Sequence, residues 1–406
     1  MVTLKINYLN NSSELCEIGK KYDTDKSSQR NNVSDSRFCH PYTLFYESIF
    51  KKKRNENLKI AELGIYLGGS LLMWKEYFIN SEIYGFEYNN DFINHFKQNF
   101  NNDRITLSNI DVTNKNSIIK AFSELNELYD IIVEDTTHNF EDQIRVIENV
   151  YKYLKPGGIL IIEDIFKSYN ENDYINRLTP ILHDFQDYYF IELDHNNRNS
   201  TGWNNDKLFI LIKGGAEPIF KNTNKLTIIT PSYRVFNLET IKKSINFEYI
   251  EEWIIVYDGS KITDNPKIFE HQENNKIKEY VFNGEGISGN PQRNYALTKI
   301  TNPDTLLFYL DDDNIIHPHM YRLLNIIDNN KMYTFNQYDR LNGNDIRVEC
   351  IDTAMVLIPY KLCKDEKWIL NLYEAEGYYI VDCYKKTKDV HIFVDNYLCY
   401  YNKLQI

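Results

Sequence analysis

The chain has 406 residues, 42% of them hydrophobic, and a formal charge of −12. That length and apolar content exclude a disordered or fibrous chain and suit two domains of about 150–200 residues each. The acidic balance excludes a nucleic-acid or anionic-membrane surface, because "KKKR" (Lys51–Arg54) is the only short basic run and suits the end of a surface helix.

No apolar run reaches the ~18 residues of a membrane span, and the N-terminus lacks the apolar core of a signal peptide. The six cysteines are scattered, with no Cys-x-x-Cys pair or zinc spacing, and read as reduced thiols of a cytoplasmic protein.

In chain order, "DKSSQRNNVSDSR" (Asp25–Arg37) reads as a mobile loop, either a disordered spacer or a lid. Strands are then expected at "LKIAELGI", "EIYGFEY", "ITLSNID", "YDIIVED" and "GILIIEDI", with "LFILIK" later. Amphipathic stretches such as "LLMWKEYF" and "EDQIRVIENVYKYL" lie between them. That alternation predicts βαβ units and a mostly parallel sheet. "KGGAEPIFKNTNK" breaks the pattern with Gly, Pro and Asn, so residues 214–225 read as a linker between a first domain, 1–213, and a second, 226–406. The alternation restarts with "LTIITPSY", "EEWIIVYDGS", "KIKEYVFN" and "TLLFYLDDDN". Two doubly wound α/β domains are therefore expected, with no tandem repeat.

The first domain opens with "IAELGIYLGGS" (Ile60–Ser70). Glu62 ends its first strand, Gly64 and Gly68 allow close backbone approach to a ligand, and the helix opening near Ser70 offers free N–H groups. The spacing departs from G-x-G-x-x-G and resembles the E-x-G-x-x-x-G of S-adenosylmethionine-dependent methyltransferases. Glu87 ends the second strand, where an acid accepts ribose hydroxyls, and Asp111 ends the third, where an adenine would lie. Asp135 and His138 follow the fourth strand and Glu163 and Asp164 the fifth. Three neighbouring carboxylates repel unless a cation sits among them, and oxygen ligands favour Mg²⁺. His138 is then placed to take a proton from an acidified hydroxyl.

"YDTDK" (Tyr22–Lys26), "HPYTLFYESIF" (His40–Phe50), the Gly-rich stretch, "EDTTH" and "LKPGGILIIED" together resemble the metal-dependent sugar O-methyltransferases of the macrocin and mycinamicin type, over about residues 13 to 212. The resemblance implies Asp135, Glu163 and Asp164 as Mg²⁺ ligands and His138 as the base. It also implies an N-terminal cover made by "DTDK" and "HPYT", and a homo-oligomer. The family's D-D-G-S-H reads E-D-T-T-H here, with Thr136 in place of the glycine.

In the second domain "LDDDN" ends an apolar strand with three aspartates, a pattern that calls for a cation bridging a nucleotide diphosphate. With "LTIITPSYR", "YDGS" and "GISGNPQRN" preceding it in order, the segment from about Leu226 to Asn402 resembles family 2 glycosyltransferases of the GT-A fold. The resemblance implies Asp258 reading the nucleotide base, with Pro231, Tyr233 and Arg293 beside the nucleotide. Asp311 and Asp313 become the D-x-D pair on Mn²⁺ or Mg²⁺, with Asp313 closest to the metal. Glu376 falls at the position of the catalytic base, with Asp352 its rival, and His391 is a further metal candidate that an ordinary core role also explains.

The expectation is a bifunctional enzyme of glycan synthesis that methylates a sugar hydroxyl and transfers a sugar from a nucleotide-sugar donor to a glycan or glycoside acceptor. Alternatives are a single glycosyltransferase whose first domain only binds, a methyltransferase acting on a non-sugar molecule, or a structural protein with vestigial folds.

Overall fold

The computed structural model describes residues 3–31, 39–100, 103–196, 203–220, 224–262, 266–269, 274–338 and 340–405. It divides into two compact units, Met1–Lys221 and Asn222–Ile406.

Unit 1 runs β1 (Leu4–Asn7), α1 (Glu14–Lys21), α2 (Tyr42–Phe50), β2 (Lys59–Leu63), α3 (Gly69–Tyr77), β3 (Glu82–Glu87), α4 (Asn90–Asn99), β4 (Ile105–Asn109), α5 (Lys115–Leu125), β5 (Tyr129–Glu134), α6 (Phe140–Val150), β6 (Leu154–Ile162), α7 (Glu171–Leu178), β7 (Phe185–Asp194) and β8 (Lys207–Lys213). Its strands order as β1-β7-β8-β6-β5-β2-β3-β4. Strands β2 to β6 are parallel, whereas β8 runs antiparallel to both β6 and β7. The apolar runs of β5 and β6 are nearly continuous because helices cover both faces of such a sheet.

Asparagines start the helices. Asn89, Asn114, Asn139 and Asn170 each cap one by accepting from the amide two residues on. Ring stacks of Phe86 on Phe122 and Phe190 on Phe209 fill the core, at centroid distances of 4.5 and 4.2 Å. The chain leaves β2 toward β3 and β4 on one side and returns to β5 and β6 on the other. The crevice therefore opens at the C-terminal ends of β2 and β5, where the strand order reverses.

Unit 2 runs β9 (Leu226–Ser232), α8 (Leu238–Ser244), β10 (Ile250–Asp258), β11 (Ile277–Phe282), α9 (Asn290–Leu297), β12 (Leu306–Tyr309), β13 (Ile315–Ile316), α10 (His319–Ile326), β14 (Met332–Asn336), β15 (Val356–Pro359), α11 (Tyr360–Cys363), α12 (Ala375–Thr387), β16 (His391–Tyr397) and β17 (Cys399–Tyr400). Its main sheet orders as β11-β10-β9-β12-β15-β14-β16, with β15 the antiparallel member, and β13 pairs with β17. The switch point lies between β9 and β12.

Three features depart from the sequence reading. Strands β1 and β7 complete unit 1 although no apolar pattern announced them. Of the stretch read as a mobile loop, Lys26, Ser27 and Ser28 are buried, while residues 32–37 lie outside the described residues. Of the segment read as a linker, the part up to Phe220 packs on unit 1: Ile219 N donates to Gly157 O, and Gln186 Nε2 donates to Ala216 O. Residues 221–223 are outside the described set. Among the described residues, the six cysteines form no disulfide. Among the described residues, no helix is long and apolar enough to cross a membrane.

Candidate active sites

In unit 1 the end of β2 runs directly against the end of β5. Gly64 has φ of 84°, and a Cβ there would sit 1.9 Å from the Asp135 carbonyl oxygen, so a side chain is excluded on two counts. Glu87 clamps the loop that follows. Its carboxylate accepts from Ile65 N (3.1 Å), Tyr66 N (3.0 Å) and Asn89 N (2.9 Å). Beside this loop lies a cavity of about 1090 Å³, walled by Gly64, Ser70, Glu87, Asp111, Asp135 and His138 among others. Gly68 and Glu62 are placed differently. Gly68 packs against the Phe96 ring. Glu62 is fully buried beneath the wall, where it accepts from Trp74 Nε1 at 2.9 Å.

At the end of the cavity Asp135, His138 and Asp164 converge, each offering one donor atom within 4.8 Å of the others. His138 Nδ1 lies 3.9 Å from Asp135 Oδ1 and 3.5 Å from Asp164 Oδ2. Both His138 (φ 56°) and Asp164 (φ 54°) adopt the left-handed conformation, local strain of the kind that concentrates at working sites. Among the described residues, the buried His138 Nδ1 atom has no hydrogen-bond partner. Two carboxylates fit a hard divalent cation, and the imidazole nitrogen beside them is placed to accept a proton.

Glu163, grouped with these acids on the sequence, is differently engaged. Its Oε2 is 2.5 Å from Lys26 Nζ, and its Oε1 accepts from Tyr46. The same ammonium pairs with Asp135 Oδ2 and lies 3.3 Å from Glu62 Oε1. The charge of the trio is therefore met in part by a lysine of this chain. Burial works against the Lys26 ammonium, but Asp135, Glu163 and Glu62 outweigh it and hold its pKa well above the ordinary value. Burial likewise works against the Asp135 carboxylate, yet Lys26 and His138 keep its pKa below the usual range.

In unit 2 the ends of β9, β10 and β12 carry the predicted residues. Asp258 turns the chain after β10, accepting from Ser260 N (3.1 Å) and Ser260 Oγ (2.6 Å). Gly289 (φ 75°) caps α9, and a Cβ there would meet Pro231 Cβ at 2.8 Å. Arg293 is buried, pairs with Asp311 at 2.5 Å and lies 4.6 Å over the Trp368 ring. Tyr233 is half-exposed between two cations, with Arg234 at 4.4 Å and Lys261 at 4.6 Å from its ring.

The aspartate trio does not form an open cation site. Asp312 ties β12 to β9, accepting from Tyr233 N (2.8 Å), Arg234 N (2.7 Å) and the Arg234 guanidinium (2.7 Å). Asp313 faces the same guanidinium at 3.1 Å and Gln405 Nε2 at 3.3 Å, and Asp311 is held by Arg293. Two arginines thus supply the positive charge for which the sequence invoked Mn²⁺ or Mg²⁺. His391 is not beside the trio either. It is a core residue of β16, 2.8 Å from Thr334 Oγ1, and burial pushes its pKa down to about 4. Glu376 sits in the first turn of α12, where burial and then Asp352 push its carboxyl up to about 7. Asp352 is occupied as the cap of a 3₁₀ turn, accepting from Ala354 N at 3.0 Å.

Comparison with known proteins bears on unit 1. Residues 61–165 match the family described as "Methyltransferase domain". Residues 61–165 form a methyltransferase domain.

This domain is similar to demethylmacrocin O-methyltransferase of Streptomyces fradiae, 28% identical over 137 residues, 32% of this chain and 33% of that protein. It is also similar to mycinamicin VI 2''-O-methyltransferase of Micromonospora griseorubida, 26% identical over 157 residues, 37% of this chain and 38% of that protein. The chain thus spans about a third of the length of these curated relatives. Among solved structures, the MycE methyltransferase of the mycinamycin pathway, in complex with Mg and SAH, aligns at a TM-score of 0.38 and 20% identity, covering 52% of this chain and 58% of that one.

Around the methyltransferase domain, residue-by-residue reasoning missed the polar shell supplied from outside 61–165. Tyr42 donates to Asp164 Oδ1 at 2.6 Å, and His40 Nδ1 lies 2.8 Å from Asp206 Oδ1 and 3.6 Å from Asp164. Burial disfavours the His40 cation, but Asp164 and Asp206 outweigh it and raise its pKa to about 9. The signal was present in "YDTDK" and "HPYT", whose polar residues sit too close to an apolar helix for an ordinary surface loop.

Proposed function

We propose that the chain is bifunctional, with unit 1 moving a methyl group from S-adenosylmethionine to a sugar hydroxyl and unit 2 moving a sugar from a nucleotide-sugar donor to a hydroxyl acceptor. The convergence of Asp135, His138 and Asp164 at the end of a large cavity carries the first assignment. The relatives named as macrocin and mycinamicin O-methyltransferases support a sugar as the acceptor. Glu87 and Asp111 on the cavity wall would orient the cofactor's ribose and adenine, and the glycine turn leaves its backbone open to it. A divalent cation held by Asp135 and Asp164, with Glu163 beside them, would supply Lewis acidity that makes a sugar hydroxyl easier to ionise. His138 takes the hydroxyl proton at Nδ1, and the oxygen bonds to the sulfonium methyl carbon as its bond to sulfur breaks and S-adenosylhomocysteine leaves. Tyr42 and His40 hold the Asp164 carboxylate in place meanwhile.

For unit 2, the support is chemical. Tyr233 between Arg234 and Lys261 presents an aromatic face and two cations, which suit a base and a diphosphate. Arg293, stacked on Trp368, faces the same strand ends. Glu376 is the base of choice because Asp352 is already engaged in its cap. It would take the acceptor proton as the acceptor oxygen bonds to the anomeric carbon and the nucleoside diphosphate leaves. A divalent ion at the trio would first have to displace Arg234.

Both assignments are tested on the full chain. Calorimetry with S-adenosylhomocysteine, methyl transfer to a panel of glycosides, and thermal shift with nucleotide sugars should each be positive. Binding of S-adenosylhomocysteine with transfer only to non-sugar hydroxyls would refute the sugar assignment. Absence of any shift across the nucleotide sugars would refute that of unit 2.

A further inference from the structure

Lys26 is 1% exposed, and a lysine so buried costs several kcal/mol unless its charge is matched. It is matched three times, by carboxylates from the ends of three adjacent strands: Glu62 of β2, Asp135 after β5 and Glu163 after β6. The backbone around Lys26 is fixed as well. Its carbonyl accepts from Thr43 N at 3.0 Å, and Ser27 Oγ donates to Cys16 O at 3.1 Å. Just before it, Tyr22, Asp23, Thr24 and Asp25 wall the same cavity as the glycine turn. A Cβ on Gly69 would meet Tyr22 O at 2.6 Å, so the two segments lie in direct contact. One ammonium therefore joins the N-terminal wall of the cavity to its acidic end. Because Lys26 takes Oδ2 of Asp135, Oδ1 is left facing His138.

We propose that Lys26 is a positioning residue of the methyl-transfer site, pinning the Tyr22–Asp25 wall over the cofactor cavity and turning Asp135 Oδ1 toward His138 and Asp164. Its functional weight rests on the methyltransferase reading of unit 1. Its mechanical role does not. The ammonium touches neither cofactor nor acceptor in this role and acts through the wall and through Asp135.

The test uses the full chain with Lys26→Met, and Lys26→Met/Glu163→Gln, which removes one of the three carboxylates left stranded. Three readouts are followed: the melting temperature, the rate of tryptic cleavage after Lys21 and Arg30, and the affinity for S-adenosylhomocysteine. Lys26→Met should speed cleavage and weaken binding by about tenfold or more each, the loss of one charged hydrogen bond. The double variant should regain melting temperature while cleavage stays fast and binding weak. It also carries the test if the single variant does not fold. Cleavage and binding within about threefold of wild type in the variant that folds would overturn the proposal. Recovery of both in the double variant would also overturn it, reducing Lys26 to charge balance. If the wild-type chain does not bind S-adenosylhomocysteine, the methyltransferase reading falls, and the cleavage pattern alone decides whether Lys26 pins the wall.

Discussion

His138 Nδ1 stands 3.5 Å from Asp164 Oδ2, and among the described residues neither this oxygen nor any other group hydrogen-bonds to it. A buried imidazole nitrogen left without a partner costs free energy that a purely structural site would have recovered. The left-handed backbone at both residues holds the pair in this arrangement. His138→Ala should therefore lower methyl transfer by about 10²–10⁴-fold, the contribution of a positioned general base. Affinity for S-adenosylhomocysteine should stay within a few-fold, and sugar transfer by unit 2 should be unchanged. Single-turnover methylation, calorimetry and a sugar-transfer assay measure the three effects.

Asp164 has two neighbours on one oxygen, Tyr42 and His40, while the other oxygen faces His138. Chelation should abolish methyl transfer, and Mg²⁺ should restore it. Asp164→Asn keeps the shape but removes a ligand's charge, so the Mg²⁺ concentration giving half-maximal rate should rise by more than the ~10–100-fold that loss of an outer partner costs. Tyr42→Phe should raise it by a smaller factor, because only orientation is lost. A magnesium titration of initial rates distinguishes these outcomes.

Much of this was legible before any coordinates, and the reasons differ by residue. Strands β3, β5 and β6 carry apolar runs that packing demands, and acids at their ends have no packing reason to be there, which is why Glu87, Asp135 and Asp164 could be named, while Asp111 after β4 was named by its place in the same series of strand ends. The partner of Glu163 could not. Lys26 lies far away in sequence, in a polar stretch that resembles a loop, and only the fold shows its ammonium among three carboxylates. The aspartates at 311–313 illustrate the same limit. Their spacing is compatible with a cation, but Arg234 and Arg293 reach them from other elements. β7 escaped notice because in "FQDYYFIELD" the polar pair Gln186 and Asp187 follows Phe185 and breaks the alternation.

Glu376 gives a pH dependence with a definite sign. Its carboxyl is pushed up to about 7 by burial and by Asp352, so it is largely protonated at pH 6 and ionised at pH 8. A base must be ionised to work, so sugar transfer by unit 2 should rise with pH through about 7 and level off above it. Glu376→Gln should abolish that rise together with most of the rate, whereas Asp352→Asn should keep the rise but move its inflection to lower pH, because a charge that holds the Glu376 carboxyl up is gone. Initial rates across pH 5.5–8.5 separate the two acids.

His391 supplies the opposite kind of test, on stability rather than rate. Its ring is buried beside Tyr384 and bonded to Thr334, and burial pushes its pKa from 6.5 down to about 4. The unfolded chain binds a proton there below about pH 6.5 while the folded chain does not. Its contribution is thus fully present above pH 6.5 and is lost progressively as pH falls toward 4, by about 3 kcal/mol in total. Denaturant titrations between pH 4 and 7 should show stability rising with pH, and His391→Gln should reduce the slope near pH 5 by nearly one proton. His319, also depressed to about 4, should keep its own share of the slope in that variant. An unchanged slope in His391→Gln would mean that His391 is protonated in the folded protein. It would then be available as a charged group rather than as the neutral core residue that its surroundings require.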